Sequence, residues 1–362
     1  MNSTILLDDT NCTDTQLQIA QLHGEFFTGL VSLRYGQVRF GVASSSYGFC
    51  VSFALLVSSA LAIRRNLLPW KRYLPVALMA FTDAWLQAVN VIYATVFILE
   101  LPVNRTIYYA LIHPVMYMGQ LTAGFLICLQ CVAVRFPLQY RLDISLKHHL
   151  ICIFVMTLIS IAVTVLTEIW RHSYVSTLAV VTTGATYYGS LVLLLLYITV
   201  AATKHGTRKS SNVEYGCVSA NTVWFTYTLV LSLLPVVLDT AIATHPLLHY
   251  LLVKISTMCQ FSMQTCVVCE NFPDALYHYR LALSVLSYYK LVAWFPFFRG
   301  MYTSTVLLLR EAVLRNIIAA PVLKLAGVPE HKLPKLKSAV TVVQKSRKTE
   351  CKEPEIVRKT TV

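Results

Sequence analysis

The sequence predicts an all-α membrane protein, a seven-transmembrane helix bundle with its N-terminus outside and its C-terminus inside. Three observations carry this. Seven apolar stretches are each long enough to cross a bilayer, the connecting loops alternate between rich and poor in Lys and Arg, and 56% of the residues are hydrophobic while only 13% are charged. A soluble domain would carry roughly a quarter charged residues, and the mean hydropathy of +0.60 agrees. Each crossing takes about 20 apolar residues. Lipid admits only helices and closed barrels, because every backbone polar group must be satisfied within the protein. None of the stretches alternates in polarity as a barrel strand does.

In chain order the spans lie near 40–63, 74–99, 107–134, 150–170, 180–203, 217–243 and 247–277. Ahead of them, 1–39 is expected to be an extracellular, glycosylated segment. Met1–Leu22 has no apolar core of the kind a cleavable signal peptide needs, so the first span is expected to act as an uncleaved signal-anchor. After the spans, 278–328 is expected to form amphipathic juxtamembrane helices, and 329–362 a basic, Pro-interrupted, disordered tail. Within 281–309, Lys290 and Arg299 argue against an eighth span, since a charge at a helix centre costs about 2.5–3.5 kcal/mol on insertion scales. Helices on the inner leaflet, with Trp294, Phe295 and Phe297 at the headgroups, are the preferred alternative.

The orientation rests on the short loops. Arg64, Arg65, Lys71 and Arg72 fill the first, Arg135, Arg141 and Lys147 the second, and Lys204, Arg208 and Lys209 the third. The intervening loops hold Arg105, Arg171 and no Lys or Arg between 244 and 250. Basic loops remain cytoplasmic. The glycosylation sequons at Asn2, Asn11 and Asn104 then all fall outside. The net charge of +13 sits at membrane edges and in the tail, where it suits anionic membrane lipid rather than nucleic acid. The ten cysteines do not read as a disulfide framework, and Cys266 and Cys269, although spaced C-x-x-C, read as small packing residues of a membrane helix. No nucleotide loop, H-E-x-x-H or nucleophile elbow is present, so the chain is not read as an enzyme and no metal is assigned.

The most specific local signal follows the third span. Cys131–Ser145 reads Cys-Val-Ala-Val-Arg-Phe-Pro-Leu-Gln-Tyr-Arg-Leu-Asp-Ile-Ser. Val132, Ala133, Val134, Pro137, Leu138 and Tyr140 match, in order and spacing, the second intracellular loop of the odorant-receptor branch of rhodopsin-like G-protein-coupled receptors, and this stretch resembles that family. Arg72-Tyr73 at the start of the second span, Asp83 within it, Tyr197 in the fifth and Tyr277-His-Tyr-Arg280 are similar to positions of fish odorant receptors. The resemblance covers about residues 40–282 and is loose outside the loop. The chain also departs from the pattern. The family's acidic-Arg-Tyr triplet is Leu129-Gln130-Cys131 here, the first span has no inward Asn, Cys is absent from the start of the third span and from 171–180, and Pro273 and Tyr277 are one residue too far apart.

The resemblance implies a G-protein-facing surface of Gln130, Arg135, Pro137, Leu138 and Tyr140, with Gln130 standing where the family's Arg contacts its heterotrimeric G protein. It implies a polar network of Asp83, Tyr197 and Tyr277, in which the family's acid holds a sodium ion or a water network. An odorant-like small molecule would lie between the outer halves of spans three, five, six and seven. By helix position its candidate contacts are Tyr109, His113, Tyr117, Tyr187, Tyr227 and Met258. The terminal Thr360-Thr361-Val362 has the pattern that PDZ domains capture by strand addition, through Thr360 and the carboxylate of Val362. The expectation is an odorant-type receptor of the plasma membrane. A seven-helix scaffold or partner of other receptors that no longer couples is the alternative, and a transporter or channel stands third.

Overall fold

The computed structural model describes residues 13–99, 105–169, 174–207, 220–238, 241–260, 268–269, 271–292 and 294–327. Asn2, Asn11 and Asn104, the tail from 328 onward and the Thr360–Val362 motif lie outside the described residues. The described chain is helical except for one two-residue antiparallel ladder, β1 (Cys259–Gln260) with β2 (Val268–Cys269). The helices are α1 (Asp14–Arg64), α2 (Trp70–Ile98), α3 (Arg105–Arg135), α4 (Pro137–Leu142), α5 (Leu146–Ile169) and α6 (Tyr174–Thr207). Then come α7 (Ala220–Leu238), α8 (Ala241–Met258), α9 (Phe272–Val292), α10 (Phe295–Arg310) and α11 (Ala312–Leu325).

Five of these, among the described residues, contain segments long and apolar enough to cross a membrane: α1, α2, α3, α5 and α6. A shorter apolar segment, Trp224–Leu233, lies in α7. Ser and Thr are tolerated in such helices because their hydroxyls bond carbonyls one turn back, as Thr157 does on Ile153, Ser160 on Met156 and Thr199 on Leu195. On α5 the large side chains Ile151, Phe154 and Leu158 face outward, as expected of a surface bathed in lipid.

α1 is a single helix of 51 residues. It starts in a capping box, in which Thr13 Oγ1 accepts from the Gln16 amide and Gln16 Oε1 accepts from the Thr13 amide at 2.8 Å. At 1.5 Å per residue it runs about 75 Å, more than twice the thickness of a hydrocarbon core. Its halves serve different cores. The Arg64 half packs on α2, α10 and α11 around Leu55, Met79, Ile127, Leu195, Leu229, Leu233, Leu307 and Ile317. The Asp14 half packs on α9 in a second core with α8, around Ile19, Phe26, Leu33, Leu251, Ile255, Tyr279 and Leu286. The first core is called the bundle below, and the second the disulfide-end unit. Arg64, Lys71, Arg72 and Arg135 mark the opposite, basic end.

Four expected spans, 74–99, 107–134, 150–170 and 180–203, fall on α2, α3, α5 and α6. Four other expectations are corrected. The first helix does not begin near 40, because 14–39 continues it. The span expected at 247–277 is not one helix: α8 ends at Met258, and α9 begins at Phe272 beyond the β1–β2 ladder. Cys269 is not a packing residue of a helix, since it is disulfide-bonded to Cys259 across that ladder. Finally, 281–309 does not lie along a bundle surface. The C-terminal half of α9 packs on α1, where Lys290 Nζ meets Gly29, and α10 inserts between α1 and α7 with Thr303, Ser304 and Leu307 buried.

Candidate functional site

Two polar layers cross the bundle. The first lies at mid-height. Asp83 of α2 is 2% exposed, and Gln87 follows one turn later on the same face. The Gln87 side chain passes between α1 and α10, where two glycines make room. A Cβ at Gly300 would overlap its amide, and one at Gly48 would meet it at 3.2 Å. Below it, Ser52 and Ser304 share a hydrogen bond of 2.9 Å, and Thr303 donates to the Ser232 carbonyl at 2.7 Å. Hydrogen bonds in this layer therefore join α10 to α1 and α7, and the fit of Gln87 against Gly48 and Gly300 adds α2. Gln87 Oε1 has no hydrogen-bond partner among the described residues. Asp83 and Gln87 thus place two buried polar side chains on one face of α2, and no third His, Cys, Asp or Glu joins them in a metal-holding group among the described residues.

The second layer lies at the basic end. Gln130 of α3 is 3% exposed and donates from Nε2 to Thr226 Oγ1 of α7 at 2.6 Å. Arg72 of α2 places its guanidinium 4.6 Å from the centroid of the Phe225 ring on α7 and donates to the Tyr140 hydroxyl of α4. Tyr73 lies edge-on to the same Phe225 ring at 5.5 Å and donates its hydroxyl to the Glu311 carboxylate, between α10 and α11. Burial pushes Glu311 up from the ordinary carboxylate range, while the Tyr73 hydrogen bond and the Arg72 charge pull it back. Burial likewise raises Tyr140, against the stabilising effect of Arg72. His149 of α5 is fully buried beside this layer, its Nε2 2.9 Å from the Lys71 carbonyl oxygen.

Several site residues expected from sequence fall elsewhere. His113 and Tyr117 are half-buried neighbours on α3, with ring centroids 6.4 Å apart. Tyr187 of α6 donates to the Gln120 carbonyl at 2.5 Å and covers Gly124, further along α3. Tyr227 does not join them. Its hydroxyl lies 3.2 Å from Thr203 near the C-terminus of α6, and the preceding residue, Thr226, belongs to the basic-end layer. Met258 is also elsewhere, buried in the disulfide-end unit beside Cys259 and Cys269. The side chain of Tyr109 lies outside the described residues, as do those of Pro137 and Leu138.

Of the expected polar network, Asp83 is interior, but Tyr197 is 47% exposed and Tyr277 62% exposed on α9 of the disulfide-end unit. Tyr277–Arg280 therefore stands at the end opposite Gln130. Of the expected G-protein-facing set, Arg135 is exposed, whereas Gln130 and Tyr140 point into the layer. The residues missed from sequence are Gln87, Ser52, Ser304, Thr226, Phe225 and Glu311. Only Gln87 carried a signal, its spacing of four from Asp83 on one helix.

No protein-family model matches this chain, and none of the curated proteins is similar to it.

Proposed function

We propose that the chain is a seven-helix chemosensory receptor of the plasma membrane, with α1, α2, α3, α5, α6, α7 and α10 as its crossings. The disulfide end lies outside and the basic end inside. A small, odorant-like molecule is taken at the outward side of the bundle, and a heterotrimeric G protein is engaged at the inward side. Two features support the orientation. The Cys259–Cys269 disulfide suits an oxidising compartment, and Arg64, Lys71, Arg72 and Arg135 lie at the other end.

The observation that carries the receptor reading is the basic-end layer. It joins α2, α3, α4 and α7 through a few directional contacts rather than by apolar packing alone. Such a set can be made or broken as a whole, which is what a receptor needs to pass a ligand's differential affinity to its far side. The Pro137-Leu-x-Tyr140 resemblance lies in the same layer. Gln130 favours a second reading. A buried neutral amide bonded to Thr226 offers no charge to a partner, as expected of a scaffold that has lost coupling.

The test expresses the chain with an N-terminal epitope, stains unpermeabilised cells, and measures cAMP and calcium against an odorant panel. A Leu129→Glu, Gln130→Arg double variant runs beside it. Ligand-evoked signals from the wild type support the receptor. Signals from the double variant alone support a working pocket with lost coupling. Absence of surface epitope overturns the proposed topology.

A further inference from the structure

We propose that Arg72 is the pin of a latch that holds the basic end of α7 closed against α2 and α3, with Tyr140 and Glu311 holding the pin in place. The inference deepens the receptor reading by naming the contact a signal has to break, although the packing behind it stands on its own residues.

The sequence supplies no charge on α3 at this height, since 126–134 contains no Asp, Glu, Lys or Arg. The charge comes from α2 instead. One guanidinium reaches Phe225 of α7 and Tyr140 of α4, and its field stabilises the Glu311 carboxylate between α10 and α11. Tyr73, 2% exposed, also packs on the Phe225 ring and bonds Glu311. Phe225 is 1% exposed, and two consecutive residues of α2 touch its ring. The next residue of α7, Thr226, is bonded to Gln130 of α3 at 2.6 Å. The start of α7 is thus held by a cation–π contact, a ring edge and a hydrogen bond, from two neighbouring helices. Each is short-ranged and directional. A shift of α7 by one side-chain width breaks all three together, so the closed and open arrangements are discrete.

Glu311 is also the C-terminal cap residue of α10 and the N-terminal cap residue of α11. Through Tyr73 it fixes where α10 turns into α11, whose Leu314 and Ile317 lie in the bundle core. Arg72 serves here as a positioning residue, and its predicted effect is on helix opening rather than on ligand contact.

The test is hydrogen exchange on the full chain in lipid nanodiscs, following peptides 220–233 and 272–292. Phe225→Leu removes the ring and keeps an apolar side chain, while Arg72→Gln removes the charge. Each single variant is expected to speed exchange at 220–233 about tenfold, and the double variant no more than either alone, because the residues share one contact. Glu311→Gln is expected to give a smaller rise in the same peptide, and 272–292 is expected to remain unchanged. Unchanged exchange at 220–233 in Phe225→Leu overturns the latch, as does a double variant whose effect is the product of the singles. If Arg72→Gln loosens 272–292 as well, Phe225→Leu decides by itself. Second-messenger output takes no part in this readout, so a failed latch and a failed receptor reading are told apart.

Discussion

The bundle and the disulfide-end unit are held together differently. The bundle buries Asp83, Gln87, Gln130 and a set of Ser and Thr hydroxyls among its Leu and Ile, and it joins its helices across these polar layers. The disulfide-end unit packs α1, α8 and α9 around aliphatic and aromatic side chains, with the Cys259–Cys269 bond at its tip. Among its described residues a polar cross-helix contact runs from His23 Nδ1 to the Tyr279 hydroxyl at 2.9 Å. What separates them is whether the interior depends on directional polar contacts or on packing with a covalent clasp.

The largest expected effect breaks the bundle and spares the clasp. Gly300→Leu drives a branched side chain into Gln87 and should cost about 3 kcal/mol, at the upper end for overpacking. Loss of surface-expressed, detergent-stable protein would register it. The reverse experiment replaces Cys259 and Cys269 with Ser. Opening a loop of sequence separation 10 should cost the disulfide-end unit about 2–3 kcal/mol by loop entropy. Exchange should rise at 272–292 while 220–233 remains protected, and equal rises in both would show that the units are not separable.

Thr226→Val tests the dependence on polar contacts more gently. It takes from the buried Gln130 amide its Thr226 partner, at about 1–2 kcal/mol, read as a lower thermal midpoint with the disulfide-end unit intact. Gly24→Ala should act in the opposite direction. Nothing lies within 4 Å of the added Cβ, so α1 should gain about 0.5–1 kcal/mol from the lost chain entropy.

The smallest effect is confined to one unit. His23 Nδ1 lies 2.9 Å from the Tyr279 hydroxyl. Tyr279→Phe removes this contact and keeps the ring, at about 0.5 kcal/mol. Exchange at 272–292 should rise slightly while 220–233 remains protected.

The same contrast explains what was legible in the sequence. An uninterrupted apolar run has one physical outcome in lipid, so α2, α3, α5 and α6 could be placed within a few residues. Asp83 was legible because an acid in such a run must face the interior. The stretch 247–277 misled because its apolar run continues through a reversal made by Cys259 and Cys269, a pairing no local pattern announces. The stretch 281–309 misled for a related reason. Lys290 and Arg299 argued against an eighth span across the whole stretch, yet Lys290 belongs to the disulfide-end unit, and α10, which carries Arg299, begins beyond it. Tyr227 was assigned to the wrong depth because one apolar helix gives no marker of height until a partner such as Thr203 is known. The Arg72 layer was invisible because its parts come from five separate segments.

The unbroken course of α1 has a mechanical consequence. α7 and α8 are separate helices, as are α9 and α10, so α1 is the one described helix that belongs to both cores. Let it pivot at Ser52, where it is pinned to Ser304 of α10. At 1.5 Å per residue, Ile19 then lies about 50 Å from the fulcrum and Arg64 about 18 Å on the other side. The helix is a lever geared down nearly threefold. A tilt of about 10° sweeps the disulfide-end tip through roughly 9 Å and moves the basic end by about 3 Å in the opposite sense. Force at the short arm is multiplied by the same ratio, so a weak push on the far tip becomes a short, strong stroke where α11 leans on α1.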